Sequence, residues 1–231
     1  MPLVRARVVI LTLLLVPALA GSATGLLNAG RLPAAWEAGR EAGALEEVLA
    51  AAEAANLMAQ YASADEREQR LWLDRAEEAA RRAVRRWPDA AEAHYQLAHA
   101  QAEKIRFVGV LAKIELASSI KENLDRTLAL ERDHARAHMG LALWHLQLAK
   151  RGLGWFYGAS LDAVVPLFEQ ATALAPESIE IRKNYGFALI ELGRPEEARK
   201  ELERALALPA RNEPDRLHQA RARALLDGLG H

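Results

Sequence analysis

Apolar positions recur along this chain with the spacing of amphipathic helices, and similar helical phrases return in register. Three such phrases each lie early in a predicted helix: Ala93–Ala98, Ala137–Ala142 and Asn184–Ala188. Each is followed by a second amphipathic stretch: Leu124–Leu130, Phe168–Leu174 and Leu202–Leu208. Because each helix pair needs a neighbour to cover its apolar face, this repetition predicts a stacked array of helix pairs.

The clearest unit runs from about Glu180 to Pro209. Gly186 takes the small position where two helices cross closely. Gly193 is expected to end the first helix in the left-handed conformation, and Pro195 to lie in the first turn of the second. This arrangement is typical of the tetratricopeptide repeat.

Two of the other units carry apolar insertions between their helices, near residues 104–113 and 151–162. An earlier helix pair spans Leu45–Pro88, and Pro214–Leu226 predicts a final capping helix. The predicted fold is therefore all-α: residues 44–231 form an irregular, right-handed tetratricopeptide-like superhelix of about four helix pairs plus a C-terminal capping helix.

The first twenty residues have the features of an export signal, and we assign residues 1–20 to a signal peptide. Arg5 and Arg7 precede the uncharged apolar stretch Val8–Ala20, which ends in small residues before Gly21. This predicts an exported bacterial protein located in the periplasm. The alternative is an uncleaved N-terminus that anchors the chain to the inner membrane. Residues 21–43, rich in glycine, are interpreted as a linker that Trp36 attaches to the array.

Composition removes several classes of function. The 231 residues carry a formal net charge of −1, whereas a nucleic-acid-binding protein normally presents a basic face, so no nucleic-acid partner is expected. The chain has no cysteine, which excludes disulfides, thiol catalysis, cysteine-ligated metals and lipid acylation of an N-terminal cysteine.

The middle of the chain resembles the tetratricopeptide proteins grouped with the regulator-of-microtubule-dynamics family and its bacterial exported relatives. The residues that carry the resemblance are Ile120–Asp125, Ala137–His145, the glycine- and aromatic-rich insertion, Phe168–Ala171 and Leu206–Leu226. The resemblance covers roughly 91–226. The helical partners of tripartite substrate-binding transporters are similar in layout, but they are typically lipid-anchored. Both resemblances imply docking to a protein or an extended ligand rather than catalysis, and a microtubule role does not carry over to an exported chain.

The repeat pattern also predicts which side chains look into the concave groove of the superhelix. The candidate partner-binding residues combine aromatic, histidine and amide groups: Tyr95, His99, His138, Leu141, Trp144, His145, Lys183, Asn184 and Phe187. Apolar members of this set would be costly to leave exposed, which favours a groove that binds a protein or peptide. The alternative is a solvated face that binds nothing.

The insertion at Trp155, Phe156 and Tyr157 adds three aromatic candidates for partner binding. It is interpreted as a finger that enters a partner or rests on a membrane surface, or as a plug at the end of the groove. The insertion Ile105–Leu111 is interpreted as an oligomer contact or a longer buried helix. Two apolar insertions in adjacent repeats favour a homo-oligomer or a stable partner.

His134 and His138 have the spacing of two metal ligands on one helix, but Arg136 lies between them. We therefore predict no metal site and no cofactor. The sequence contains no nucleophile elbow, phosphate-binding glycine loop or paired acid and base motif, so no catalytic residue is nominated and the chain is not expected to be an enzyme.

The sequence thus predicts a non-enzymatic, exported scaffold or adaptor that binds a protein or peptide through its concave groove and aromatic insertion. Membrane contact is expected only through an uncleaved signal or a peripheral surface. The alternative is a periplasmic carrier of a small or lipid-like ligand, associated with a transporter, in which the insertion closes an apolar cavity.

Overall fold

The computed structural model of the chain describes residues 21–230, and all of the regular structure in that range is helical. The predicted signal peptide at 1–20, with its alternative as a membrane anchor, lies outside the described residues. Twelve α-helices follow one another in the described range: α1 (Ala23–Asn28), α2 (Leu32–Gly39), α3 (Leu45–Leu57), α4 (Glu66–Arg86), α5 (Ala91–Lys104), α6 (Val110–Leu130), α7 (Ala135–Lys150), α8 (Gly154–Tyr157), α9 (Val164–Leu174), α10 (Ile179–Glu191), α11 (Pro195–Ala207) and α12 (Glu213–Gly228).

Four antiparallel pairs form the array, as the hydrophobic pattern predicts. Helix α3 packs against α4, α5 against α6, α7 against α9 and α10 against α11, while α12 covers α10 and α11 as the capping helix. The first helices of the pairs also contact one another along the stack. The all-α, tetratricopeptide-like superhelix is therefore confirmed.

The last repeat follows the local predictions closely. A Cβ atom on Gly186 would lie 2.6 Å from Cγ of Leu202, so α10 and α11 cross at a distance that only glycine permits. Helix α10 ends at Glu191, and Gly193 follows with φ of 72°, in the left-handed region expected after a helix C-terminus. Helix α11 then begins at Pro195, whose missing N–H is not needed there.

Residues 21–43 correct the linker interpretation, because they form α1 and α2 and contribute to the core. Ala23 and Ala35 are fully buried, and Trp36 packs edge-on against Trp72 at 6.3 Å between ring centroids. A Cβ on Gly39 would lie 2.1 Å from the backbone oxygen of Glu47, so this glycine serves close helix packing rather than flexibility. The expected attachment through Trp36 is confirmed, but the whole segment is part of the fold.

The two insertions take up short helical turns at the side of the stack. The first consists of a 3₁₀ turn at Ile105–Phe107 followed by the first turn of α6, which begins at Val110. The second contains α8 and a 3₁₀ turn at Leu161–Ala163 that leads into α9. Neither insertion interrupts the pairing of the helices on either side.

A crowded concave face and an exposed insert ridge

The interior of the superhelix is organised around Arg136, on the first turn of α7. Its guanidinium lies 3.1 Å from Oε2 of Glu53 and also donates to Oε1 of Glu92, so one cation joins α3, α5 and α7. The same guanidinium lies 4.6 Å from the centre of the Tyr95 ring. Burial alone would raise the pKa of Glu92, but Arg136 and His134 outweigh it and lower the pKa to about 2. The Glu92 carboxylate is therefore held in the charged form.

The predicted histidines are divided among separate hydrogen bonds. Nε2 of His134 lies 2.9 Å from Oε2 of Glu92, whereas Nε2 of His138 lies 3.0 Å from the carbonyl oxygen of Arg132. His99 contacts Nε2 of Gln60 at 3.3 Å and stacks on Tyr95. Within residues 21–230, no group of three or more histidine, aspartate or glutamate side chains is arranged to hold a metal ion.

The superhelix closes on itself, because the end of α3 reaches the capping helix. The hydroxyl of Tyr61, in the π-helical turn that continues α3, lies 3.1 Å from Nδ1 of His218 on α12. Helix α1 also contacts α12, and a Cβ on Gly30 would lie 2.6 Å from Cγ of Glu213. Burial lowers the pKa of His218 to about 4, so its imidazole is neutral at physiological pH.

The remaining concave candidates from α10 are packed rather than open. Lys183 is buried, and burial lowers its pKa although Glu180 and Glu103 oppose that shift. Asn184 donates from Nδ2 to the sulfur of Met139 at 3.2 Å, and Phe187 is half-buried against the core of the last two repeats. These candidates from α10 therefore already have partners within the protein, and charged groups lie among them.

Leu141 and Trp144 lie in the core between α5, α6 and α7, together with Tyr95. The indole N–H of Trp144 donates to the carbonyl oxygen of Ala117 at 2.8 Å. Nδ1 of His145, the next residue, accepts a hydrogen bond from the backbone N–H of Ser160 at 3.1 Å. Burial, together with the charge of Lys121, lowers the pKa of His145. These side chains thus secure the second insertion to α7.

The second insertion contacts the beginning of α6, directly after the first insertion. The hydroxyl of Tyr157 donates to the carbonyl oxygen of Ile114 at 3.3 Å, and its ring packs edge-on against Trp144. The side chains beyond this junction are apolar and exposed. We call this surface the insert ridge; its members are Val110, Leu111, Ile114, Leu153, Trp155, Phe156 and Leu161.

A shallow depression of about 360 Å³ lies beside the insert ridge, between α6 and α7. We call it the side depression; it is lined by Ser118, Lys121, Glu122, Asp125, Trp144 and Tyr157. Nζ of Lys121 lies 2.6 Å from the Asp125 carboxylate and 5.8 Å from the centre of the Trp144 ring. The surface thus combines one aromatic wall with charged groups of both signs, which suits an extended polypeptide segment.

Residues 39–230 match the family model described as regulator of microtubule dynamics protein 1-3. The chain belongs to this family. The match begins in α2 and continues to the end of the capping helix, so it includes both insertions, the insert ridge and the side depression.

Solved structures are similar to this family member in fold. TTC0263, a thermophilic tetratricopeptide protein of Thermus thermophilus, superposes with a TM-score of 0.59 at 19% identity, covering 84% of this chain and 89% of that one. MamA superposes with a TM-score of 0.43 at 20% identity, covering 77% of this chain and 88% of that one. No curated protein sequence matches significantly. The first similarity supports the tetratricopeptide fold of this family member and nothing further.

The structure brings Trp144, His145, Trp155, Phe156 and Tyr157 together at the second insertion, while the other predicted side chains lie in the interior. Sequence reasoning missed the ion pairs of Arg136 and the contact of His218, both of which join distant parts of this family member. The sequence offered one signal for Arg136, namely a positive charge between two histidines, His134 and His138, on one helix. The partners of such a residue, however, lie in other repeats.

Proposed function

We propose that this chain is a non-enzymatic, exported scaffold protein that holds a protein or peptide partner in the side depression. The stacked helix pairs form a rigid support, and proteins with this fold generally present binding surfaces rather than reaction centres. The polar and aromatic lining of the side depression is the observation that carries the proposal. The amino-terminal pattern at 1–20 supports export to the periplasm.

The concave face is a weaker candidate for the partner. Arg136, Glu92 and Glu53 satisfy one another there, so a peptide would have to break these ion pairs to enter. The side depression contains one ion pair, between Lys121 and Asp125, and this pair is more exposed than those of Arg136 and therefore weaker. Lys121 already faces an open surface next to the Trp144 ring, where a backbone carbonyl or a carboxylate of the partner could approach.

The carrier alternative requires the second insertion to roof an apolar cavity. Trp155 is instead 84% exposed and Phe156 61% exposed, and both turn away from the core. The side depression is shallow and open, and Lys121, Glu122 and Asp125 line it, so it does not enclose a lipid-like ligand. These observations support a docking protein over a carrier.

A site-specific crosslinking experiment tests this proposal. A photoreactive amino acid replaces Ser118 inside the side depression or, as a matched control, Glu203 on the exposed face of α11. We expect one protein to crosslink at position 118 and not at position 203, and Lys121→Ala to weaken that capture. Crosslinking at neither position, or equal crosslinking at both, would contradict the proposal. Capture only through a photoreactive residue at Lys183 would return the partner to the concave face.

A further inference from the structure

We propose that the insert ridge docks this protein peripherally onto an anionic lipid surface. The ridge exposes large apolar side chains that the fold itself does not need. Leu111 is 79% exposed, Val110 75% and Trp155 84%. Several large apolar side chains left exposed on segments that contact each other usually mark a surface that is covered in the functional state.

The ridge is held in shape before anything binds to it. Tyr157 is fixed from beneath by its hydrogen bond to Ile114 and by its packing against Trp144. Phe156 packs edge-on against Tyr157 at 4.9 Å, and Trp155 packs on Phe156 in turn at 5.8 Å. The outer aromatic rings therefore project from a fixed base, so little conformational entropy is lost when they are buried.

The helix that carries these rings is compact and projecting. Gly152 and Gly158 flank α8 with φ values of 73° and 68°, which let the chain turn sharply on both sides. A Cβ on Gly154 would lie 2.4 Å from the carbonyl oxygen of Ala159, so the two ends of the loop touch. The result is a convex tip, whereas recognition of a peptide strand or helix requires a groove or a free sheet edge.

The charges around the ridge point to an anionic partner. Among the described residues, Arg106, Lys113 and Arg151 have no carboxylate within salt-bridge distance, although the molecule as a whole is slightly acidic. The acidic residues nearby are Asp162 in the second insertion and Glu115 just after the first, and the neighbouring side depression adds Glu122 and Asp125, of which Asp125 is paired with Lys121. Glu115 follows Lys113 by two positions in α6, so the two side chains point to different sides of the helix.

A bilayer interface accounts for both the exposed apolar side chains and the cations of the insertions. Tryptophan and other aromatic side chains favour the headgroup region, and lysine and arginine near an anionic leaflet each strengthen binding. No helix among residues 21–230 is long and apolar enough to cross a membrane, so contact through this part of the chain would be peripheral. A second copy fits less well, because a twofold contact would place the ridge against itself and bring like charges together.

The inference is tested with the full chain and vesicles of defined composition. Vesicles of phosphatidylglycerol and phosphatidylethanolamine present an anionic surface, and phosphatidylcholine vesicles provide the neutral comparison. We expect the anionic vesicles to sediment the protein. Trp155→Ser/Phe156→Ser should weaken binding about tenfold or more through lost apolar burial. Arg106→Gln/Lys113→Gln/Arg151→Gln should weaken it about fivefold for each cation removed.

Leu174→Ser, which removes an exposed apolar side chain at the far end of α9, is the matched control and should bind like the parent. Residues 1–20 are mostly apolar and are present in every variant, so a local probe is needed as well. Brominated lipids should quench the fluorescence of the parent more than that of Trp155→Phe, and the vesicles should shield Trp155 from aqueous iodide.

The inference is overturned if Trp155 stays accessible to iodide in the presence of the anionic vesicles. It is also overturned if the ridge substitutions abolish a dimer or a protein complex while vesicle binding is unchanged. The proposed function fails separately, because Lys121→Ala and crosslinking at position 118 report on the side depression and should leave vesicle binding intact.

Discussion

The interior of the superhelix contains charged side chains and the insert ridge exposes apolar ones, which is the reverse of what their positions in the fold suggest. The interior holds Arg136 and Glu92 half-buried among paired charges, whereas the ridge leaves Trp155 and Leu111 in solvent. The interior charges satisfy one another, so they hold the repeats in one arrangement. The ridge side chains, in contrast, leave much of their apolar surface uncovered by the described chain. The comparison teaches that the inward-facing residues here serve the fold and that the outward-facing insertions are available for binding.

Two tryptophans, Trp144 near the core and Trp155 on the ridge, allow a direct test of this comparison. Trp144 is buried and hydrogen-bonded to Ala117, whereas Trp155 is 84% exposed. We expect Trp144→Ala to lower the free energy of unfolding by about 4 kcal/mol, because it leaves a cavity in the core and removes the indole hydrogen bond. Trp155→Ala should change it by less than about 0.5 kcal/mol. Urea denaturation measures both, and similar losses in the two variants would show that the ridge belongs to the core.

The ion pairs of the interior give the next largest effect. Arg136→Ala leaves Glu53 and Glu92 without their shared cation, and we expect a loss of about 3 kcal/mol in the free energy of unfolding. Arg211→Ala is the matched control, because the pair of Arg211 with Glu177 is exposed and should contribute less than about 1 kcal/mol.

A second substitution separates the lost ion pairs from lost packing in the Arg136 variant. Adding Glu92→Gln removes one of the uncompensated charges, so the double variant should recover part of the stability lost in Arg136→Ala. A double variant that is less stable than the single one would mean that Glu92 acts through His134 and Gln96 rather than through Arg136.

Local sequence determined most of the fold, because helix periodicity, Gly193 and Pro195 act within one or two turns. The predicted linker was wrong for a local reason as well: glycine content was interpreted as flexibility, although Gly39 is needed for close packing against α3. A Gly/Pro-rich segment that also contains a buried aromatic residue such as Trp36 is better interpreted as compact helices.

The arrangement of the candidate site depended on contacts that no local pattern contains. Tyr61 and His218 are 157 positions apart, and Tyr157 and Ile114 are 43 apart. The first of these contacts depends on the curvature of the superhelix, which sums small rotations over every repeat, whereas the second depends on how two adjacent repeats stack. The sequence therefore predicted both insertions, but it did not predict that they join into one ridge or that the concave face closes.

The smallest expected effect concerns this closure and its dependence on pH. The pKa of His218 is about 4 in the folded protein, against 6.5 for an ordinary histidine. Between these values the unfolded chain binds the proton more readily, so stability falls as the pH falls through this window and is unaffected above it. The groups that influence His218 are Glu180, Lys183, His99 and Arg136. From about pH 8 to about pH 5 we expect a loss of about 2 kcal/mol from this histidine.

His218→Gln removes the titrating group while an amide oxygen remains to accept from Tyr61, so the difference between parent and variant isolates the histidine. Urea denaturation at pH 8 and pH 5 should show the parent losing more stability than the variant. Measurements stop at pH 5, because Glu92 and other carboxylates lose their stabilising charge at lower pH. Equal losses in parent and variant would mean that the pKa of His218 is the same in the folded and the unfolded chain, so that the interior accepts a further positive charge without cost. In that case the contrast between a closed interior and an open ridge would rest on Arg136 alone.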